Sequence, residues 1–169
     1  MTLLINRTDI AQYRQISDTV YDNVLNQHIF DAQFSDLQKL MGIDFYNDLI
    51  RNWQDAKYTE LLDGGTYTYN NTTYTNVGLK VVLTHYAYSR YVLFGSQTDT
   101  PFGYVEKLNN DSQAVSIEAK KTIAKMNQQV AFNYWENVNL FLERNSTTYP
   151  LYKSGCVTQN RNFRISKID

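Results

Sequence analysis

The sequence feature that most constrains the fold is the stretch from residue 76 to residue 95, NVGLKVVLTHYAYSRYVLFG. Apolar residues recur along it at helical spacing and fill much of the remaining circumference: Leu79, Val81, Val82, Leu83, Tyr86, Tyr88, Val92, Leu93 and Phe94. A helix that is apolar nearly all round is normally surrounded by protein. We therefore predict a buried central helix around which the other helices of a small bundle pack.

Helical patterns precede this central helix. The sequence predicts a short helix capped by Thr8 or Asp9 and running to about Ile16, a long helix over residues 23–41 and another over residues 44–53. The apolar stripe of the long helix drifts along its length. This drift indicates either a break near His28 or burial on two sides.

A β-hairpin is predicted immediately before the central helix. Threonine and tyrosine alternate on both sides of Asn70 and Asn71, which is typical of two strands joined by a tight turn. We expect an exposed hairpin near residues 66–75, after which Asn76 caps the central helix and Gly95 ends it.

The remainder of the chain is predicted to be a loop, a long helix and a tail. Residues 96–112 lack a period of their own, and a connection of this length is often functional or mobile. Ser112 is expected to cap an amphipathic helix that ends near Asn145. Its predicted inward stripe consists of Ile123, Met126, Val130, Tyr134, Val138, Phe141 and Leu142.

The predicted fold class is therefore mainly α: a small helical bundle around a buried central helix, with an inserted β-hairpin, a long loop and an extended C-terminal tail. Residues 1–150 are expected to form a single helical domain and residues 151–169 the tail.

Charge and composition exclude several functional classes. The net charge of −1 gives no electrostatic reason to expect a nucleic-acid or anionic-membrane partner, and the one cysteine excludes a disulfide framework. The first residues do not read as a secretory signal, and no run of about 18 apolar residues occurs. The sequence thus predicts a protein without a membrane segment that is made in a cytoplasm.

Candidate catalytic groups are few. His28 and His85 lack a metal-type residue at ligand spacing, Gly64-Gly65 lacks the lysine of a phosphate-binding loop, and Cys156 lacks a sequence-local partner. We therefore predict no enzymatic activity and no catalytic, cofactor or metal site. Clustered cations are also modest in number: Lys120, Lys121, Lys125, Arg161, Arg164 and Lys167.

Several segments taken together resemble a known family. They are the run from Tyr58 to Gly95 with its GGTYTYNNTTYT hairpin, the run TPFGYVEK from Thr100, the long last helix, and Asn145 to Pro150. An earlier match runs from Ile29 to Gly42. This order resembles the head-to-tail connector or ring proteins of tailed phages that infect Bacteroidetes, including the crAss-like phages.

The resemblance implies a virion structural protein of the neck, made in the host cytoplasm. Such subunits form a homo-oligomeric ring, commonly of twelve copies, below the portal. DNA passes through its lumen without sequence recognition, and the partners are the portal and other neck or tail proteins. The family has no catalytic residues to carry over.

Exposed segments are expected to make the contacts between subunits, and tyrosine suits both an interface and the edge of a core. The candidate contact residues lie in the hairpin, the long loop and the tail: Tyr67, Tyr69, Tyr74, Pro101, Phe102, Tyr104, Phe163 and Arg164. Two alternatives stay open: a non-structural phage enzyme using His85 with an acid from residues 96–112, and a DNA-binding accessory factor using the last helix and the tail.

Overall fold

The computed structural model describes residues 2–16, 20–95, 97–100, 103–106 and 115–154. Its elements, in chain order, are α1 (Arg7–Ala11), α2 (Asp22–Ala32), a π-helical turn (Gln33–Leu37), α3 (Gln38–Met41), α4 (Ile43–Asn52), α5 (Ala56–Asp63), β1 (Gly65–Tyr69), β2 (Thr72–Asn76), α6 (Leu79–Phe94), β3 (Gln97–Thr100), β4 (Gly103–Glu106) and α7 (Ile117–Arg144). The mainly helical fold with an inserted hairpin confirms the predicted fold class.

Helix α6 is the centre of the bundle, as predicted. It packs most extensively against α7 and next against α2, and it buries even polar residues such as His85 and Ser89. Its lysine and its arginine reach carboxylates at its edge, where Lys80 pairs with Asp63 and Arg90 with Asp36. A helix surrounded on two sides explains why its sequence is apolar nearly all round.

The start of α6 differs from the prediction. The helix begins at Leu79 after Gly78, while Asn76 is the last residue of β2. The Asn76 side chain donates to the carbonyl of Glu60 and accepts from the amide of Gly78. It therefore ties the end of the hairpin to α5 instead of capping α6.

The drift of the apolar stripe in the long second helix has its origin at Gln33 rather than near His28. The π-helical turn inserts one residue into the helical repeat and rotates the buried face. Gln33 is fully buried; its Oε1 accepts from the amide of Leu4, and its Nε2 donates to the carbonyl of Thr2. The turn thus fixes the N-terminal segment to the bundle.

Further helix boundaries also differ from the sequence predictions. Helix α1 is capped by Asn6, whose side chain accepts from the amides of Thr8 and Asp9, and it ends at Ala11. Helix α7 is capped by Ser116 rather than Ser112, which lies outside the described residues. It ends before Asn145, as expected.

The predicted long loop contains a second hairpin. Strands β3 and β4 pair antiparallel, with Gln97 opposite Glu106 and Thr100 opposite Gly103. Their sequences, QTDT and GYVE, carry little of the alternation that marks β1 and β2, which explains why the pattern predicted no strands here.

The first hairpin leaves and rejoins the bundle at a single point. Gly64 and Gly78, on either side of it, have φ angles of 82° and 86°, and a Cβ on Gly78 would lie 2.6 Å from the amide nitrogen of Gly64. Only glycine allows the two backbones to touch in this conformation.

The chain after Pro150 begins inside the helical body. Tyr149 and Tyr152 are buried, and both contact the ring of Phe45 edge-on. Residues 155–169, most of the predicted tail, lie outside the described residues. Among the helices in the described ranges, none combines the length and apolar character that a membrane-spanning helix requires.

Candidate interaction surface on the hairpin and the last helix

Hairpin β1–β2 has two chemically different faces. The register pairs Tyr67 with Tyr74 and Thr68 with Thr73. Because side chains alternate between the two sides of a strand, one face carries tyrosines. The opposite face is formed by threonines alone, and all four are exposed: Thr66, Thr68, Thr73 and Thr75.

The tyrosine face packs on the C-terminal end of α7. The rings of Tyr67 and Tyr74 stack with centroids 5.7 Å apart, and Tyr67 contacts the buried Phe141 edge-on at 5.0 Å. Two of the three hairpin tyrosines that were predicted to contact other subunits, Tyr67 and Tyr74, therefore make contacts within the subunit. Tyr69, near the turn, keeps 39% of its surface exposed.

Arg144 lies at the centre of the tyrosine face. Its guanidinium is 3.9 Å from the ring centroid of Tyr74 and 5.1 Å from that of Tyr69, and its Nη1 donates to the hydroxyl of Tyr67 at 3.0 Å. A planar guanidinium can stack on a ring while it donates in its own plane. Arg144 thereby connects the last turn of α7 to both strands.

Asn137 holds the outer edge of β2. Its Nδ2 donates to the carbonyl of Thr75 at 3.0 Å, and its Oδ1 accepts from the amide of Val77 at 2.9 Å. The side-chain amide thus takes the place that a neighbouring strand would have. The hairpin is consequently fixed to α7 both through its face and through its edge.

Sequence reasoning found the tyrosines but missed their partners on α7. Asn137, Phe141 and Arg144 follow one another at steps of four and three, so they lie on one side of the helix. That spacing, next to a hairpin rich in tyrosine, is the signal that could have identified them.

The predicted inward stripe of α7 is correct in its C-terminal half and wrong in its N-terminal half. Val138, Phe141 and Leu142 are buried, as is Trp135, which the predicted stripe left out, but Ile123 and Met126 keep 39% and 63% of their surfaces exposed. Small or amide side chains occupy the contact with α6 instead: Ala124, Asn127 and Ala131. Close approach to α6 requires these smaller residues, so the larger apolar ones are turned outward.

The side chains of the other candidate contact residues lie outside what the structure describes. Tyr104 lies in β4, where its backbone is opposite Asp99. Pro101, Phe102, Phe163 and Arg164 lie outside the described residues. Their roles in contacts stay predictions.

His85 is buried in a network of neutral groups and one cation. Its Nδ1 is 3.3 Å from Oδ1 of Asn127, which also accepts from Nε of Arg14 at 2.8 Å. The Nδ2 of Asn127 donates to the carbonyl of Ile123, so Oδ1 is an acceptor and Nδ1 of His85 carries the proton. Burial, with the charge of Arg14, lowers the pKa of His85.

The same arrangement bears on the two alternative functions. His85 is held neutral between α6 and α7, and the side chains of residues 96–112 lie outside what the structure describes, so the enzyme hypothesis stays a prediction. Across the described residues, no three His, Cys, Asp or Glu side chains come together in a way that could hold a metal ion. For the DNA-binding hypothesis, Lys121 and Lys125 are exposed on the charged face of α7, close in sequence to the acidic Glu118. This hypothesis also stays a prediction.

The sequence profile of one protein family, described as "Family of unknown function (DUF6712)", matches residues 37–162, which is well over half of the chain. The match includes both hairpins and all of α7. No curated protein and no solved structure matches the chain.

Proposed function

The chain belongs to this family of unknown function, and we propose that it is a virion structural protein, a subunit of a homo-oligomeric ring in the neck of a tailed phage. The proposed ring lies below the portal, and DNA passes through its lumen without sequence recognition. The protein has a structural role in this proposal and catalyses no reaction.

The observation that carries the proposal is the way the hairpin is mounted on α7. Tyr67, Arg144 and Asn137 fix it rigidly, while its threonine face points away from the body of the subunit. A preorganised surface loses little conformational entropy when a partner covers it, and an uncharged surface has no charge to desolvate. This is what a repeated subunit needs at each contact with its neighbour.

Two further observations support the proposal. The order of a helical body, an inserted hairpin and a long last helix agrees with what the resemblance to connector proteins implies. The near-neutral charge also suits a ring whose lumen lets DNA pass, because a strongly basic lumen would retain it.

The proposal is tested on particles and on the purified protein. We expect mass spectrometry of purified phage particles to detect the chain at about the copy number of the portal, and cryo-electron microscopy to place it directly below the portal. Native mass spectrometry of the full chain, alone and co-expressed with the portal, is expected to show a ring of twelve copies. Absence of the chain from particles that retain their portal and tail would refute the proposal.

A further inference from the structure

The two outer edges of hairpin β1–β2 differ in how the rest of the subunit covers them. On the edge of β2, Asn137 donates to the carbonyl of Thr75 and accepts from the amide of Val77. In an antiparallel pair, residues that bond the partner strand alternate with residues whose amide and carbonyl point outward. Thr75 therefore points outward, and so does Thr66, which lies opposite it on β1.

The edge of β1 has no such cover. Two residues beyond Thr66, Thr68 also points outward, so the strand presents two amides and two carbonyls on this side, which we call the open edge. Within the part of the chain that the structure describes, no hydrogen bond reaches these four groups. Thr66 and Thr68 are both exposed. The open edge is therefore accessible to another strand.

The open edge also lacks the features that usually prevent a strand from pairing with another chain. Proteins protect such edges with charged residues, with proline or with a bulge. The sequence of β1 is GTYTY, and its register with β2 is continuous along the strand, so β1 has none of these features. An edge that is regular, uncharged and fixed to a helix is a template for the addition of a strand.

We infer that the open edge binds residues 157–165 of a second copy of this chain, which add to the hairpin as a third strand. These residues, VTQNRNFRI, lie outside the described residues. The inference rests on the proposed ring and names one contact between its neighbouring subunits.

The sequence of this segment fits the two faces of the hairpin. Phe163 and Ile165 are two residues apart, so both lie on one side of an added strand while Arg164 lies on the other. On the tyrosine face, Phe163 and Ile165 pack beside Tyr69, which keeps 39% of its surface exposed in the single subunit. Aromatic and β-branched neighbours on adjacent strands stabilise a sheet. Arg164 then lies on the exposed threonine face, where its guanidinium stays in water.

Charge at the base of the hairpin favours a basic segment. Residues 157–165 contain two arginines and no acidic residue. Glu60 is exposed beside the start of β1, and its Cγ lies 3.7 Å from the position that a Cβ on Gly65 would take. Complementary charges of this kind fix the register of a contact and exclude other partners.

The place where the described chain ends favours a neighbour over the subunit's own hairpin. The hydroxyls of Tyr152 and Ser154, the last described residue, donate to the side chains of Asn139 and Glu143 on α7. Glu143 follows Phe141, which contacts the hairpin, by two residues, and two residues turn a helix by about 200°. The chain therefore leaves the body on the side of α7 opposite to the hairpin. From there, the nine residues up to position 163 can extend about 30 Å.

The symmetry of the contact suits a ring. The segment that is given and the edge that receives it are different parts of the subunit, so each copy gives a strand to one neighbour and receives one from the other. Such head-to-tail contacts close into a ring when the rotation between copies allows it. The third strand also stabilises the hairpin, because two strands alone are only marginally stable in water.

Cross-linking between single-cysteine chains tests which segments meet. One full chain carries Cys156→Ser and Thr68→Cys, and another carries Cys156→Ser and Arg164→Cys. When the two are mixed and treated with a short bismaleimide, we expect mass spectrometry to find a link between positions 68 and 164. Because each chain has one cysteine, this link joins two copies. The matched control replaces Thr68→Cys with Thr122→Cys, at an exposed threonine in the N-terminal half of α7, and is expected to give no link.

A proline tests whether the backbone of the open edge takes part in assembly. Thr68→Pro removes an amide that makes no hydrogen bond within the described subunit, so the hairpin keeps its own bonds. We expect it to raise the concentration at which half of the chain is assembled by roughly tenfold or more, measured by mass photometry. Thr73→Pro removes the outward amide on the opposite edge, and this control should change that concentration less than about twofold.

A competing peptide gives a measurement that does not depend on how a variant folds. A synthetic peptide of residues 155–169, in excess over the unmodified full chain, is expected to reduce assembly. The same peptide with Phe163→Asp should have no effect, because it places a charge beside Tyr69.

The outcomes separate this inference from the proposed function. A link between positions 68 and 164, together with the selective effects of Thr68→Pro and of the peptide, supports the added strand. A chain that assembles without this link and is unaffected by Thr68→Pro overturns the added strand and leaves the ring intact. A link that forms only within one chain, in a variant carrying both cysteines, overturns it as well. A chain that stays monomeric at every concentration also overturns it, while the presence of the protein in particles decides the proposed function independently.

Discussion

The guanidinium of Arg144 stacks on the ring of Tyr74, at 3.9 Å from its centroid, and joins the last turn of α7 to the second strand of the first hairpin. The two residues are distant in sequence, and neither belongs to the bundle core. Their contact determines how the hairpin is oriented relative to the helices, and the exposed threonine face is oriented with it.

Replacement of Arg144 should loosen the hairpin without unfolding the bundle. We expect Arg144→Ala to increase the hydrogen-exchange rates of the amides in β1 and β2, while amides in α6 keep their protection. Arg144→Lys should restore only part of the effect, because an ammonium cannot stack on Tyr74 and donate to Tyr67 in the same plane. Arg51→Ala, an exposed arginine of α4, is the control. Unchanged exchange in Arg144→Ala would show that Tyr67, Phe141 and Asn137 hold the hairpin without Arg144.

Removal of the Asn137 side chain should destabilise the junction between β2 and α7. Asn137→Ala leaves the partly buried amide of Val77 without its partner, whereas the exposed carbonyl of Thr75 can bind water instead, so we expect a loss of about 1 kcal/mol. Urea denaturation measures the change. Asn133→Ala is the matched control one turn earlier, where the side chain accepts only from Gln129, and we expect it to stay within about 0.5 kcal/mol of the original chain.

Gln33 should be intolerant of a carboxylate. Gln33→Glu preserves the shape but removes the donor to the carbonyl of Thr2 and places a charge at a fully buried position, so we expect a loss of at least about 2 kcal/mol at neutral pH. Gln27→Glu, at an exposed position of α2, controls for the added charge. Limited proteolysis should show earlier cleavage before Asn6 in Gln33→Glu. Equal stability of the two variants would contradict the role assigned to Gln33.

The two histidines should make the fold less stable as the pH falls through about 6.5, the ordinary pKa of a histidine. Burial lowers the pKa values of both His28 and His85 in the folded chain, so the unfolded chain binds more protons in this range. The free energy of unfolding therefore decreases as the pH falls from 7 towards 5.

Substitution of both histidines tests this pH dependence. We expect His85→Gln combined with His28→Gln to flatten the stability profile between pH 5 and pH 7. Stability lost at a pH below about 4 has a different origin, since the hydrogen bond from the Tyr58 hydroxyl is the chief cause that holds the pKa of Asp48 low. Urea denaturation at several pH values separates the two ranges. A profile of unchanged slope in the double variant would contradict the assignment.

The sequence was sufficient to predict the elements whose patterns are strong. The nearly continuous apolar character of residues 79–94 predicted the buried central helix, and the alternation of threonine with tyrosine around Asn70 and Asn71 predicted the first hairpin. Both asparagines have the positive φ angles that such a turn requires, 50° and 62°. Local chemistry decides these features, so a single sequence reveals them.

Features that depend on tertiary contacts could not be predicted in the same way. Periodicity alone assigns Met126 to the buried face of α7, but the close approach of α6 selects Ala124 and Ala131 for that contact and turns Met126 outward. Asn76 is a good helix cap by composition, yet α5 lies near enough to take its side chain. The π-helical turn at Gln33 likewise depends on a partner far away in sequence.

The contact between Gly64 and Gly78 makes the first hairpin a closed excursion from the helical body. Because the chain departs and returns at the same place, the path from α5 to α6 is the same whatever is inserted between the two glycines. A hairpin of another length can therefore be inserted at this place while the bundle keeps its geometry. Such a layout separates the requirements of the bundle core from those of the segment that projects from it.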